Sequence, residues 1–355
     1  MELLECLKRA VEDRASDMFI VAGGPICEKL DNRLVPISEG RVFPQETQRL
    51  IMELYALAPR DPASYLQRGD DDFSLSVPDL ARFRVNTYRQ RGSLAAVVRI
   101  VSFDIPDWKS HGIPEQVMNL ADLRHGMVLV TGTAGSGKST TQACIIDRIN
   151  RTRECHIITL EDPIEYLHRD MRSIVSQREI AIDTGNYLSA LRACLRQAPD
   201  VILLGEMRDA ETIHTAMTAA ETGHLLIATL HTRGAVNTID RIIDSFPGGQ
   251  QEQVRAQLSM VLHTVVSQQL LPGKDGKLVP AFEIMCMNSA IRSLIRDSKT
   301  HQINSAIAAG GQEGMMTMDQ SILALCRSGE ITAETAVNFA DNAEQMRRRL
   351  GQDGL

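Results

Sequence analysis

Residues 127–140 run Met127-Val128-Leu129-Val130-Thr131-Gly132-Thr133-Ala134-Gly135-Ser136-Gly137-Lys138-Ser139-Thr140. A short apolar strand pattern breaks there into a glycine-rich loop that opens a helix. The spacing is G-x-x-x-x-G-K-[ST], in the strand, loop, helix order that a phosphate cradle requires. Glycines let successive backbone N–H groups turn inward around phosphate oxygens, and the helix N-terminus adds its positive dipole end. Lys138 is expected to neutralise β- and γ-phosphate charge and the Ser139 hydroxyl to bind Mg²⁺. Gly132, Thr133, Ala134, Gly135, Ser136, Gly137, Lys138, Ser139 and Thr140 are therefore the candidate nucleotide-binding residues.

Moving outward, Ile157–Leu160, Val201–Leu204 and Leu225–Leu230 are further short apolar runs separated by helical segments. Such runs fit strands covered on both faces, as in a parallel sheet. Open sheets of this kind place ligand-facing groups at the carboxyl ends of their strands. Glu206 follows one run, and Glu161 with Asp162 follows another. Either glutamate could hold metal-bound water or orient the water that attacks phosphorus; surface or helix-capping acids are the plainer reading. His224 and His231 flank the Leu225–Leu230 run, as γ-phosphate sensors or as packing residues. Asp209 is placed to cap a helix whose buried stripe is Ile213, Ala216, Met217 and Ala220, with Gly223 after its end.

Upstream, residues 1–103 read as an α+β domain and 104–116 as a linker containing Pro106, Gly112 and Pro114. Leu3, Leu4, Leu7 and Val11 recur at helical spacing, and three strands are expected over 72–77, 82–88 and 93–101. Alternation of Phe83 and Val85 puts Arg82 and Arg84 together on the other strand face. Residues 117–355 form the α/β domain, mainly helical from about 285. The 355 residues carry a net charge of −7, which opposes direct nucleic-acid binding through a basic surface. Seven scattered cysteines and no H-E-x-x-H suggest neither a disulfide framework nor a zinc site. Neither a signal peptide nor an apolar run of about 20 residues is seen, so a cytoplasmic location is expected.

Taken together, the phosphate-loop segment, Ile158-Thr-Leu-Glu161-Asp-Pro-Ile-Glu-Tyr166, Val201–Asp209 and Thr222–Thr232 resemble the four signatures of the secretion ATPase superfamily of P-loop enzymes. The resemblance extends to Ala81–Gly92 and so spans nearly the whole chain. It implies an N-terminal PAS-like domain and a RecA-like motor domain with a helical C-terminal region. It also implies an ATPase working with ATP and Mg²⁺ in a homohexamer. By carry-over, Glu161 lies in the acidic box and Glu206 in the Walker B segment, where it holds Mg²⁺ directly or through water. His224 and His231 lie in the histidine box, and Arg82, Arg84 and Arg91 reach the phosphates.

Asn288-Ser-Ala-Ile-Arg-Ser-Leu-Ile-Arg-Asp297 is similar to the segment that marks PilT-like retraction motors of type IV pili. Ile291, Leu294 and Ile295 suit a docked face, with Arg292 and Arg296 pointing outward. Ser293, Asp297 and Phe19 depart from that branch, and Gln197-Ala-Pro-Asp200 is similar to the accessory PilU-like ATPases. The expectation is a hexameric motor for pilus retraction and twitching motility, at the cytoplasmic face of the inner membrane. It would act there on a platform protein, with a paralogous ATPase as a further partner. A motor for a related secretion, conjugation or pilus-like system, or a weakly hydrolysing accessory subunit, is the alternative.

Overall fold

The computed structural model describes residues 2–30, 33–101 and 104–353. The chain divides into two compact units, Met1–Asp104 with Glu165–Leu167, and Ile105–Ile164 with His168–Leu355. The expected domain end at Phe103 lies outside the described residues.

The first unit is an α+β fold on one antiparallel sheet. Its strands are β1 (Asp17–Ile20), β2 (Cys27–Leu30), β3 (Arg33–Pro36), β4 (Asp70–Val77), β5 (Ala81–Gln90) and β6 (Ser93–Val101), ordered β3-β2-β1-β6-β5-β4. On β5, Ala81, Phe83, Val85 and Thr87 are buried while Arg82 and Arg84 are only partly so. The period-2 pattern therefore produces the two-sided strand that the sequence suggests. The helix Leu3–Glu12 buries Leu3, Cys6, Leu7 and Ala10, whereas Leu4 is 38% exposed. Of the expected stripe, Leu3 and Leu7 are buried and Val11 packs against the same core, and Leu4 alone turns away, about 100° around the helix axis from Leu3.

The second unit is α/β. Its strands are β7 (Gly126–Thr131), β8 (His156–Glu161), β9 (Ile174–Glu179), β10 (Val201–Leu204), β11 (Leu225–Leu230), β12 (Leu262–Pro272) and β13 (Leu278–Cys286), ordered β13-β12-β7-β11-β10-β8-β9. All neighbours pair in parallel except β12 with β13. Every residue of β7, β10 and β11 is buried, as strands covered on both faces must be. Strands β12 and β13 were not among the expected ones; polar Thr264, Ser267, Gln268 and Gln269 interrupt the apolar run of β12, though all four are buried. After β13 the chain is helical from Ser289 onward. None of the described helices is long and apolar enough to cross a membrane.

One helix differs from expectation. Ile291 and Ile295 dock the helix Ser289–Arg296, but Arg292 does not point freely outward. Its Nη1 donates to the carbonyls of Ser259 and Met260. These lie at the end of the helix Gly248–Val261, where unpaired carbonyls attract a cation.

Candidate active site

The phosphate loop leaves β7 at Thr131 and enters the helix Lys138–Thr152. Gly132 (φ +140°) is locked in by contact: a Cβ there would meet the Gln268 carbonyl at 2.3 Å and Ser136 Oγ at 2.6 Å. Gly137 (φ +88°) meets the Gln268 side chain in the same way, at 2.7 Å. A larger residue would push the loop off β12. Thr133, Ala134 and Gly135 are exposed at the loop tip, while Ser139 and Thr140 are half-buried in the first helical turn. Lys138 is buried, and its Nζ donates to the carbonyls of Gly132 (2.9 Å) and Thr133 (2.8 Å). Ser136 Oγ is buried without a hydrogen-bond partner among the described residues. An orphaned hydroxyl, a buried ammonium and a glycine cradle at a helix N-terminus make a donor set suited to phosphate oxygens.

Glu206 lies just past β10 and is only 8% exposed. Its carboxylate is held from two sides: Arg208 Nη2 stands 2.5 Å from Oε1, and His231 Nε2 stands 3.5 Å from Oε2. The bond to Glu206 in turn holds the Arg208 guanidinium above its ordinary pKa. Glu161, at the end of β8, accepts from Thr159 Oγ1 (2.6 Å) and Gln177 Nε2 (3.3 Å). Adjacent strands are about 4.8 Å apart, so Glu206 lies two strands, about 10 Å, from the phosphate loop and Glu161 about 15 Å. Of the two acids, Glu206 follows the strand nearer the phosphate loop.

His231 follows β11 and joins this cluster, but His224 does not. It precedes β11, and six residues of strand separate it from the phosphate-loop end, about 20 Å at 3.3 Å per residue. Its Nδ1 is in hydrogen-bond contact with the Ala219 carbonyl at 2.9 Å, closing the end of the helix Ala210–Glu221. A direct γ-phosphate contact from His224 within its own subunit is therefore corrected to a packing role. Arg82, Arg84 and Arg91 stand in the first unit. Arg91 and Gly92 form the two-residue turn between β5 and β6, with φ +48° and +78°. A left-handed arginine in such a turn, where Asn or Gly is preferred, is a strained choice.

Three residues that the sequence reading missed complete the crevice. Tyr187 lies close to Gly205, where a Cβ would sit 2.8 Å from its hydroxyl. Burial pushes its phenol upward, and the Glu206, Asp162 and Glu161 charges push it further, so it stays an O–H donor. Arg208 neighbours Glu206, and a charge two residues beyond a strand-end acid was a usable signal. Gln268 underlies the phosphate loop and accepts from Thr141 Oγ1 at 2.8 Å; its signal was a polar pair, Gln268-Gln269, inside an apolar run.

The sequence profile of the Type II/IV secretion system protein family matches residues 2–351. A twitching motility protein of Neisseria gonorrhoeae is 48% identical over 283 residues, 79% of this chain and 76% of that protein. A type IV pilus retraction ATPase of Pseudomonas aeruginosa, PilT, is 41% identical over 336 residues, 95% of this chain and 97% of that one. The crystal structure of the pilus retraction motor PilT with bound ADP superposes with a TM-score of 0.89 at 44% identity, covering 98% of this chain and 99% of the other.

Proposed function

The chain belongs to the Type II/IV secretion system protein family, and from that membership we propose that it is the motor that retracts type IV pili. It is an ATPase. The observation that carries the reading is its likeness, over 98% of its length, to a retraction motor crystallised with ADP.

In the proposed mechanism, the amides of Gly132–Gly137 and the Lys138 ammonium take the phosphates, with Ser136 Oγ as a further contact and Thr140 beside them in the first helical turn. Ser139 and Glu206 are the residues that would hold Mg²⁺, Glu206 directly or through a water. Bound there, the ion would neutralise charge developing on the phosphoryl oxygens. Glu206 orients the attacking water while Arg208 and His231 fix its carboxylate, and Glu161 and Tyr187 line the same crevice. Arg82, Arg84 and Arg91 supply positive charge to the transferring phosphoryl group, an effect worth about 10³–10⁵ in rate in other P-loop enzymes.

The working assembly is a homohexamer at the cytoplasmic face of the inner membrane. Hydrolysis moves the domain 1–103 against the domain 117–355 about the linker 104–116. This turns a platform protein so that pilin subunits leave the fibre base; a paralogous ATPase is a further partner. Twitching of cells whose only copy carries Lys138→Ala is the deciding assay. Abolished retraction, restored by wild type, supports the reading, and normal retraction would falsify it. Phosphate release by pure protein separates a motor from an accessory subunit, because the latter would hydrolyse ATP no faster than its Glu206→Gln variant.

A further inference from the structure

One buried carboxylate has no part in the chemistry above. Glu283, on β13, is 4% exposed. Its Oε1 accepts from the amide of Ala235 at 2.6 Å, at the start of the helix Ala235–Asp244. The residue before it on β13, Phe282, donates its amide to Ser321 Oγ of the helix Met318–Arg327 at 3.0 Å. Burial pushes this carboxyl above its ordinary range, and the Ala235 amide pulls it back. This side chain thus caps a helix from a distant part of the chain.

Its neighbours act on the same loop. Ser267 pairs directly with Glu283 across β12 and β13, and Gln269 lies two residues along. Side chains so related share one sheet face. Ser267 Oγ accepts from the amide of Gly234 (2.9 Å), and Gln269 Oε1 from Arg233 Nη2 (2.6 Å). Arg233–Ala235 is therefore mounted on three side chains of one face, two residues beyond His231. Gln268, between them, faces the opposite way, towards Thr141 and the phosphate loop. The far side of the mount has a second tie: Arg233 offsets the like charge of Asp319 on Asp341, whose amide donates to Asp319 in the helix Met318–Arg327.

We propose that Glu283 is a positioning residue of this ATPase, fixing the loop His231–Ala235 beside Glu206. The catalytic half of the claim rests on the proposed function. Glu283→Gln keeps the volume but removes the charge, so the Ala235 amide loses its charged acceptor.

The test uses the full chain as wild type, Glu283→Gln, His231→Ala and the double variant. Expected is a fall in kcat of about 10-fold or more, on the scale that small misplacements of catalytic groups produce, with KM for ATP within about 2-fold. The double variant should be no slower than His231→Ala alone, because both changes act through one loop. Hydrogen exchange at the amide of Ala235 should accelerate. Multiplying losses in the double variant, a raised KM with unchanged kcat, or unchanged exchange at Ala235 would overturn the proposal. Should Glu283→Gln not fold, Gln269→Ala takes its place in the kinetic arms. If wild type hydrolyses no ATP, the proposed function fails, and the exchange measurement alone decides whether Glu283 holds the loop.

Discussion

His231 Nε2 stands 3.5 Å from Glu206 Oε2, on the side of the carboxylate opposite Arg208. The acid at the end of β10 is thereby fixed in direction as well as buried. Glu206→Gln should lower phosphate release by about 10²–10³-fold, as loss of a charge-stabilising group does elsewhere, while ADP still binds. His231→Ala should cost less, about 10-fold, because the exposed imidazole orients the acid and does not replace it. Equal rates for Glu206→Gln and wild type would remove Glu206 from the mechanism.

Gly132→Ala should damage binding without touching a polar group. The new Cβ would lie 2.3 Å from the Gln268 carbonyl at φ +140°, so the loop must shift or carry strain of about 1–3 kcal/mol. Nucleotide affinity, read by fluorescent ADP titration, should fall by about 10-fold with melting of the fold little changed.

Arg91→Asn should separate stability from activity. Asn tolerates the left-handed turn better than Arg, so the first unit should gain about 0.5–1 kcal/mol. Phosphate release should nevertheless fall by about 10-fold or more if the guanidinium meets phosphate. Unchanged hydrolysis in the stabilised variant would leave Arg91 a turn residue only.

Glu28 sets a pH dependence in the first unit. Burial and the neighbouring Asp13 carboxylate raise its carboxyl to about 7, against the opposing pull of Arg9. The unfolded chain releases this proton near pH 4.5. Between those values the folded state binds more protons, so its stability falls as pH rises and the loss is complete above about pH 7. Glu28→Gln should raise the calorimetric midpoint of the first unit at pH 8 by about 2–4 °C and leave it unchanged at pH 4.

Arg292→Ala should uncap the helix Gly248–Val261. Loss of the guanidinium contacts to the Ser259 and Met260 carbonyls should cost about 1 kcal/mol and lower the second unit's midpoint by about 2–4 °C. An unaltered midpoint would mean that solvent serves those carbonyls as well.

Much of the α/β unit was legible because strands covered on both faces leave short apolar runs. Val201–Leu204 and Leu225–Leu230 have the same bounds in sequence and structure. The Asp209 cap was equally readable, since its carboxylate accepts from the amide of Thr212 at 2.8 Å. Strand β12 hid itself because Ser267, Gln268 and Gln269 find their partners in Gly234, Thr141 and Arg233, a long-range fact that no local pattern carries. The direction of Arg292 was hidden for the same reason: its acceptors lie about 33 residues away in sequence. His224 was misplaced by overlooking polarity, because residues preceding a parallel strand sit opposite the ligand crevice. The left-handed Arg91 could be expected only once Gly92 was read as half of a two-residue hairpin turn.

Lys138 already has carbonyl partners at Gly132 and Thr133. Capture of a triphosphate is consequently a displacement, in which the ammonium exchanges main-chain dipoles for charged oxygens while the number of its bonds stays nearly level. The net gain is then chiefly Coulombic, so ionic strength should weaken nucleotide capture more than the depth of the lysine suggests.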